Sequence, residues 1–249
     1  MISVVMLNWK RPLNVEHNAL AYLKYDLVSE VIVFSNADKP LEFATMPFGL
    51  TVIRSTNDLG LYTRFAAASL AVRRCIMHTD DDLFIPEGTL NILYKAWTAA
   101  PEVCHSLHGR DVSSGYRFIN VYGLVEVALT RCMLVDRVHC AQSLMHVHEF
   151  DDLEAHPRGN GEDIILSFVA MRASGRLNVA HDLPLKNYPG HADPIPGEEK
   201  LSIHKRWPGH AKHRQQVLHR CREVFGIPAS SRGRPEAIFI SDPARPAGR

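Results

Sequence analysis

Four short runs of apolar, largely β-branched residues punctuate the first third of the chain: residues 2–7 (ISVVML), 31–35 (VIVFS), 50–55 (LTVIRS) and 75–79 (CIMHT). None alternates cleanly with polar positions, which is the signature of strands covered on both faces. Between them lie segments with helical character. Residues 13–25 form one, residues 61–73 (LYTRFAAASLAVR) an Ala-rich second, and residues 87–98 a third. Strands alternating with helices predict an α/β fold with a mostly parallel central sheet flanked by helices. Such a sheet binds ligands beyond the carboxyl ends of its strands, and polar residues collect there: Asn8 and Lys10 after the first run, Ser35 and Asn36 after the second, Asp80 to Asp82 after the fourth.

The pattern changes after residue 100. Residues 116–129 (YRFINVYGLVEVAL) predict antiparallel strands, hence a smaller antiparallel sheet, and residues 161–174 and 209–225 predict two further helices. Residues 182–200, with four prolines, read as a long loop. The expected organisation is one domain over 1–226 in two halves (1–100 and 101–226), followed by a Pro/Arg/Ser-rich, untethered tail over 227–249.

Composition narrows the function classes. The 249 residues, 46% hydrophobic and 22% charged, suffice for a full core. With 28 Lys and Arg against 27 Asp and Glu, the formal charge of +1 supplies no global field for nucleic acid or anionic membrane. Five scattered cysteines without a CxxC pair fit reduced thiols and a cytoplasmic setting. The opening residues are too short an apolar run for a signal peptide, and no run approaches the roughly 20 apolar residues of a membrane span.

Three segments carry candidate chemistry. Asp80, Asp81 and Asp82 repel one another, and a divalent metal is the simplest compensation. Mg²⁺ or Mn²⁺ takes one or two carboxylates and completes its shell with water and phosphate oxygens. The same run also reads as a solvated acidic turn before the helix near Pro86. Glu162 and Asp163 open a helix whose apolar face is Ile164, Ile165, Phe168 and Val169. They are either acids complementing the dipole behind an Asn160 cap, or groups that act at a reacting carbon. The stretch from Lys200 to Arg222 holds Lys205, Arg206, Lys212, Arg214 and Arg220 with four histidines and no acid past Lys200. It suits a leaving diphosphate, a solvated helix face or a nucleic-acid patch. Trp97, at helical spacing from Leu93, reads as core.

Taken in order, VVMLNWKRP at 4–12, VIVFSNA at 31–37, TRF at 63–65, HTDDD at 78–82, Leu93 with Trp97 and Pro101, GEDI at 161–164 and the segment 201–221 ending in HAKHRQQVLHRC resemble the GT-A glycosyltransferases. Within them the resemblance is to the C-terminal catalytic domain of the exostosin family, over about 220 residues. It implies a UDP-sugar donor, Mn²⁺ and retention of anomeric configuration. By position it places Asn36 and Arg64 on the nucleotide, Asp80 and Asp81 on the ribose and sugar, and Asp82 on the metal. Asp163, with Glu162 before it, then lies beside the reacting carbon, and His210, Lys212 and Arg214 reach the diphosphate, with His210 also available to the metal. Gly161 stands where the family's luminal members have a cysteine, which favours a cytosolic enzyme. The acceptor is a glycan or another hydroxyl compound; a modified DNA base is not favoured by the near-zero charge. Two other classes fit parts of the pattern. A nucleotidyltransferase would carry a Gly-rich loop where Asn8 to Pro12 stand, and a catalytically silent carbohydrate- or nucleic-acid-binding module would show no turnover.

Overall fold

The computed structural model describes residues 1–36, 41–43, 45–153, 159–183 and 207–228. The predicted loop over 182–200, apart from its first two residues, lies outside them. So do Lys200, Lys205, Arg206 and the tail beyond residue 228.

The predicted αβ alternation is present. Strand β1 (Ile2–Asn8) is followed by helix α1 (Pro12–Tyr22), β2 (Val28–Ser35), β3 (Leu50–Arg54), α2 (Thr63–Ser69), β4 (Cys75–Thr79) and α3 (Glu87–Ala99). Strands β3, β2, β1 and β4 lie side by side and parallel. Their continuous apolar runs are explained by what covers each face. Val4, Met6, Val31, Val33 and Met77 pack with Val15, Ala19 and Tyr22 of α1 and Leu90, Leu93 and Trp97 of α3. Val5, Ile32, Phe34 and Ile76 pack on the other face with Phe65, Ala67 and Ala68 of α2. Each such side chain, fully buried, contributes about 1.5–3 kcal/mol. Trp97 is core, as its spacing predicts.

Helix α2 stops earlier than its composition predicts. The backbone N–H of Val72 donates to Glu30 Oε1 and that of Arg73 to Ser3 Oγ, so strand side chains take the donors a longer helix would use.

The second half is a mixture that the sequence pattern shows only in outline. Short strands β5 (His105–Ser106), β6 (Gly109–Arg110), β7 (Asn120–Val121), β8 (Gly123–Val125) and β9 (Val127–Ala128) precede β10 (Cys132–Asp136) and α4 (Arg137–Met145). After a 3-10 turn at Val147–Phe150 come α5 (Glu162–Ser174), β11 (Asn178–Ala180) and α6 (His210–Phe225). Strand β10 enters the large sheet antiparallel to β4, and β5, β11 and β8 extend it to eight strands. The predicted 116–129 region divides: β8 joins the large sheet, while β7, β6 and β9 form the small antiparallel one. Gly109 permits this crowding, since a Cβ there would meet Val121 O, Val125 Cγ1 and Ala180 Cβ at 2.8 Å. Helix α6 closes the molecule on α5, packing Val217, Leu218, Cys221 and Phe225 against Ile164, Ile165 and Phe168.

Candidate active site

The carboxyl ends of β1, β2 and β4 open into one cavity of about 480 Å³, walled on its far side by the starts of α5 and α6. Of the residues singled out from sequence, Lys10, Asn36, Arg64, Asp80, Asp81, Asp82, Glu162, Asp163, His210 and Arg214 line it. Asn8 does not. Its Nδ2 donates to Ser35 Oγ at 2.9 Å, bracing the ends of β1 and β2 beneath the cavity floor. Lys212 is exposed on α6 and outside the lining. His210 and Arg214 are four residues apart and share a helix face, whereas Lys212, midway between them, projects from the opposite side.

The acidic run is compensated in part by the chain itself. Arginines of the chain itself face all three carboxylates. Arg11 Nη1 donates to Asp81 Oδ1 at 2.8 Å and lies 3.8 Å from Asp82. Arg64 Nη2 donates to Asp80 at 3.2 Å, and Arg131 Nη2 lies 3.7 Å from Asp82 Oδ1. Arg11 follows β1 and Arg131 precedes β10, so strands flanking β4 bring their cations to its end. Burial still pushes the Asp81 carboxyl up to about 7, the neighbouring carboxylates adding to it against the pull of Arg11. Burial, then Asp80, raises Asp82 as well.

Among the described residues no three His, Cys, Asp or Glu side chains converge as a ready metal cage. The donor set nevertheless fits a hard cation. Asp82 has the loosest ion pairs of the run, and its Oδ1 is buried without a hydrogen-bond partner. A Mg²⁺ or Mn²⁺ ion there would use one protein carboxylate and rely on phosphate and water for the rest.

On the opposite wall, the expected Asn160 cap is replaced by Gly161. It stands at the N-cap of α5 with φ 101° and no side-chain cap hydrogen bond. Asn160 turns to α6 instead, accepting from Arg214 Nη1 at 3.2 Å through its side chain and sharing a 2.8 Å hydrogen bond with His213 through its carbonyl. Arg214 Nη2 also reaches both carboxylate oxygens of Asp163 at 2.7 Å. Its guanidinium lies 4.6 Å over the Tyr116 ring. Glu162 is 5% exposed, accepts from Thr130 Oγ1 at 3.1 Å, and sits 3.5 Å from Arg64 Nε. Burial drives its carboxyl up to about 7 despite the Arg64 charge. Arg64 therefore bridges the two acidic segments, with Asp80 on one side and Glu162 on the other.

Asn36 has a positioning role beyond that expected. Its side chain donates to Gly60 O at 3.0 Å and Thr63 Oγ1 at 2.9 Å and accepts from Leu59 N–H, tying the 59–63 turn to the end of β2. Several lining residues escaped the sequence reading as site residues, among them Arg11, Arg110, Tyr116, Phe118, Thr130 and Arg131. Arg11 was within reach, because it lies in the WKRP segment and three adjacent acids call for a nearby cation. The others sit on short, irregular strands and loops with no readable period.

No curated protein sequence matches the chain. The crystal structure of GalNAc-T7 with UDP, GalNAc and Mn²⁺ shares the fold, with a TM-score of 0.52 at 11% identity over 91% of this chain and 55% of that one. S. aureus TarS 1-349 gives 0.48 at 16% identity, over 72% of this chain and 58% of that one. The mannosyltransferase PcManGT from Pyrobaculum calidifontis, in complex with GDP-Man and Mn²⁺, gives 0.46 at 16%, over 91% of this chain and 70% of that one. The chain thus spans little more than half the length of the first two. The family model described as "Glycosyl transferase family 64 domain" matches residues 2–234, nearly the whole chain, and the chain therefore belongs to that glycosyltransferase family.

Proposed function

We propose that residues 1–226 form one catalytic domain that moves a sugar from a nucleoside diphosphate sugar, a UDP-sugar first among them, to the hydroxyl of a glycan or similar acceptor, with retention and in the exostosin manner. The observation that carries this reading is the convergence of the Asp80–Asp82 run and the Arg214-held Asp163 carboxylate on one cavity at the strand ends. The structure of GalNAc-T7 with UDP, GalNAc and Mn²⁺ supports a nucleotide donor and a divalent ion.

Asp82, assisted by His210, would hold Mn²⁺ or Mg²⁺, and that ion would neutralise charge on the departing diphosphate. The chain's own residues supply the rest. Asp80 and Asp81, steadied by Arg64 and Arg11, accept hydrogen bonds from ribose and sugar hydroxyls. Lys10 adds a cation on the nucleotide side. Asp163, fixed from both oxygens by Arg214, stands where positive charge develops on the anomeric carbon. Glu162 holds Arg64 in place from below. In the transfer, the bond from the anomeric carbon to the diphosphate oxygen breaks and its electron pair leaves with the diphosphate. The acceptor oxygen bonds to that carbon from the same face, and its proton passes to the departing phosphate.

Among the described residues no helix is long and apolar enough to cross a membrane. The test is calorimetric titration with UDP, GDP, CDP and ADP, each with Mn²⁺ and again with EDTA, followed by product analysis with the matching sugar donor. One nucleotide binding only with the ion supports the reading and names the donor base. No binding of any of the four overturns it in favour of a silent module.

A further inference from the structure

Helices α2 and α4 lie together on one face of the large sheet, and the sides they turn away from it are apolar. Inward, Phe65, Ala67 and Ala68 of α2 and Cys140 of α4 are buried against the strands. Outward, Val138, Ala141 and Met145 recur at i, i+3 and i+7 along α4, and all three are exposed, Met145 by 72%. Leu70 and Val72, each 67% exposed, extend this face to the first turn of α4, where the Arg137 N–H donates to Arg74 O at 2.8 Å. Exposed apolar groups placed this closely mark a surface that another segment or molecule covers.

The rim of the face is basic at the α2 end. Arg73, Arg74 and Arg137 are exposed there against two carboxylates, Asp136, which pairs with Arg74, and Glu30, which accepts from the Val72 N–H. A fitting occupant is therefore apolar at its centre and acidic at an end. The chain holds such a segment outside the described residues: Glu236-Ala237-Ile238-Phe239-Ile240-Ser241-Asp242, an apolar run between two acids. It lies beyond residues 2–234, the stretch that the family model matches. Helix α6 delivers the chain to the same face. Phe225, its last residue, meets His146 edge to face at 4.8 Å between centroids, directly after Met145, and Gly226 in the left-handed conformation turns the chain there. From Pro228 to Glu236 the chain can span up to roughly 26 Å, whereas Val138 stands only about 10 Å along α4 from Met145.

We propose that residues 236–242 dock on the α2/α4 face of their own chain, with Ile238, Phe239 and Ile240 covering Val138, Met145, Leu70 and Val72, and Asp242 pairing with the arginine rim. The segment then straps the end of α6, the helix that carries His210 and Arg214, to α4. The docking is independent of the donor, the acceptor and the transfer reaction.

The experiment follows methionine oxidation of the full chain in dilute hydrogen peroxide, read by peptide mass, with Met46, 53% exposed, as the internal reference. A bare Met145 would oxidise at least as fast as Met46. A covered one is expected to oxidise about fivefold or more slowly. Ile238→Ser, Phe239→Ser and Ile240→Ser combined should bring Met145 level with Met46, and Asp242→Arg should do so in part. The protection should not change with protein concentration, because the segment is tethered beside its site. A wild-type Met145 that oxidises as fast as Met46 overturns the proposal whatever the variants do. Protection that survives in the triple variant overturns it too, by showing that something else covers the face. Protection that grows with protein concentration overturns it in favour of a second copy of the chain. Protection that appears only when phosphatidylglycerol vesicles are added assigns the face to an anionic lipid surface and overturns it as well.

Discussion

Arg214 and Asp163, 51 residues apart in sequence, meet with one guanidinium nitrogen 2.7 Å from both carboxylate oxygens, and each side chain is only 7% exposed. The pair joins α6 to the first turn of α5 at the wall of the cavity. Taking two charges out of water costs several kcal/mol per ion, and mutual attraction with extra hydrogen bonds offsets it. Here Asn160 Oδ1 accepts from Nη1 and the guanidinium lies over the Tyr116 ring, while its Nε is buried without a hydrogen-bond partner, and the Ile164 N–H donates to Asp163 Oδ1.

Removing one partner leaves the other buried and uncompensated. Arg214→Met is expected to cost about 3–5 kcal/mol in urea unfolding, far more than a surface arginine would. Asp163→Ala is expected to leave Mn²⁺-dependent UDP binding intact while abolishing sugar transfer. Full transfer by a folded Asp163→Ala would remove that carboxylate from the reaction.

Asp82 is expected to separate from its two neighbours in a binding assay. Arg11 and Arg64 hold Asp81 and Asp80 closely, whereas the nearest cations to Asp82 are at 3.7 and 3.8 Å. Asp82→Asn should weaken UDP binding in Mn²⁺ by about tenfold or more, with no change in EDTA. An equal loss in both conditions would mean that Asp82 touches the nucleotide itself.

The four parallel strands were legible because burial on both faces forces unbroken apolar runs, and the strand ends then located Asn36, Asp80, Asp81 and Asp82. Glu162 and Asp163 were legible as the opening of a helix. Strand β10, by contrast, gives no warning that it inserts antiparallel beside β4: CMLVD reads the same in either direction, and pairing is decided by tertiary context. The cations that neutralise the acidic run were hidden for a related reason. Arg131 reaches Asp82 only because β10 lies next to β4. Arg110 reaches the cavity from a two-residue strand whose placement depends on Gly109 and Asn120. The cap of α5 was misjudged because Asn160 has a better use for its side chain, and a glycine at φ 101° turns the chain without it.

That glycine can be tested. A Cβ on Gly161 would stand 3.0 Å from both Cγ atoms of Val217 on α6, and its φ lies where side chains are strained whatever the space. Gly161→Ala should cost about 1–3 kcal/mol in unfolding free energy. Adding Val217→Ala clears the steric contact but not the backbone strain, so the double variant should stay below the sum of the two single losses without recovering wild-type stability. Simple additivity would show that α6 shifts freely and that the contact carries no strain.

Glu162 gives stability a pH dependence of defined sign. Burial, only partly opposed by Arg64, moves its carboxyl from the ordinary 4.5 to about 7 in the folded chain. Between these values the folded protein retains a proton that the unfolded chain has released, so stability falls as pH rises through the window, by up to roughly 3 kcal/mol. His108 and His181 slope the other way. Burial pushes both down to about 4, so the unfolded chain binds their protons first and stability rises with pH between about 4 and 6.5. Glu162→Gln removes its own slope and leaves those of the histidines and of Asp81, whose carboxyl burial also raises to about 7. The stability of wild type minus that of Glu162→Gln, from urea unfolding at half-unit steps from pH 4.5 to 7.5, should therefore decline by about 2–3 kcal/mol and level off above pH 7. A difference that is flat with pH would mean that Glu162 is ionised throughout, held so by Arg64. In that case its carboxylate would pull on Arg64 in direct competition with Asp80, and Arg64→Gln would destabilise the fold most at high pH rather than at low.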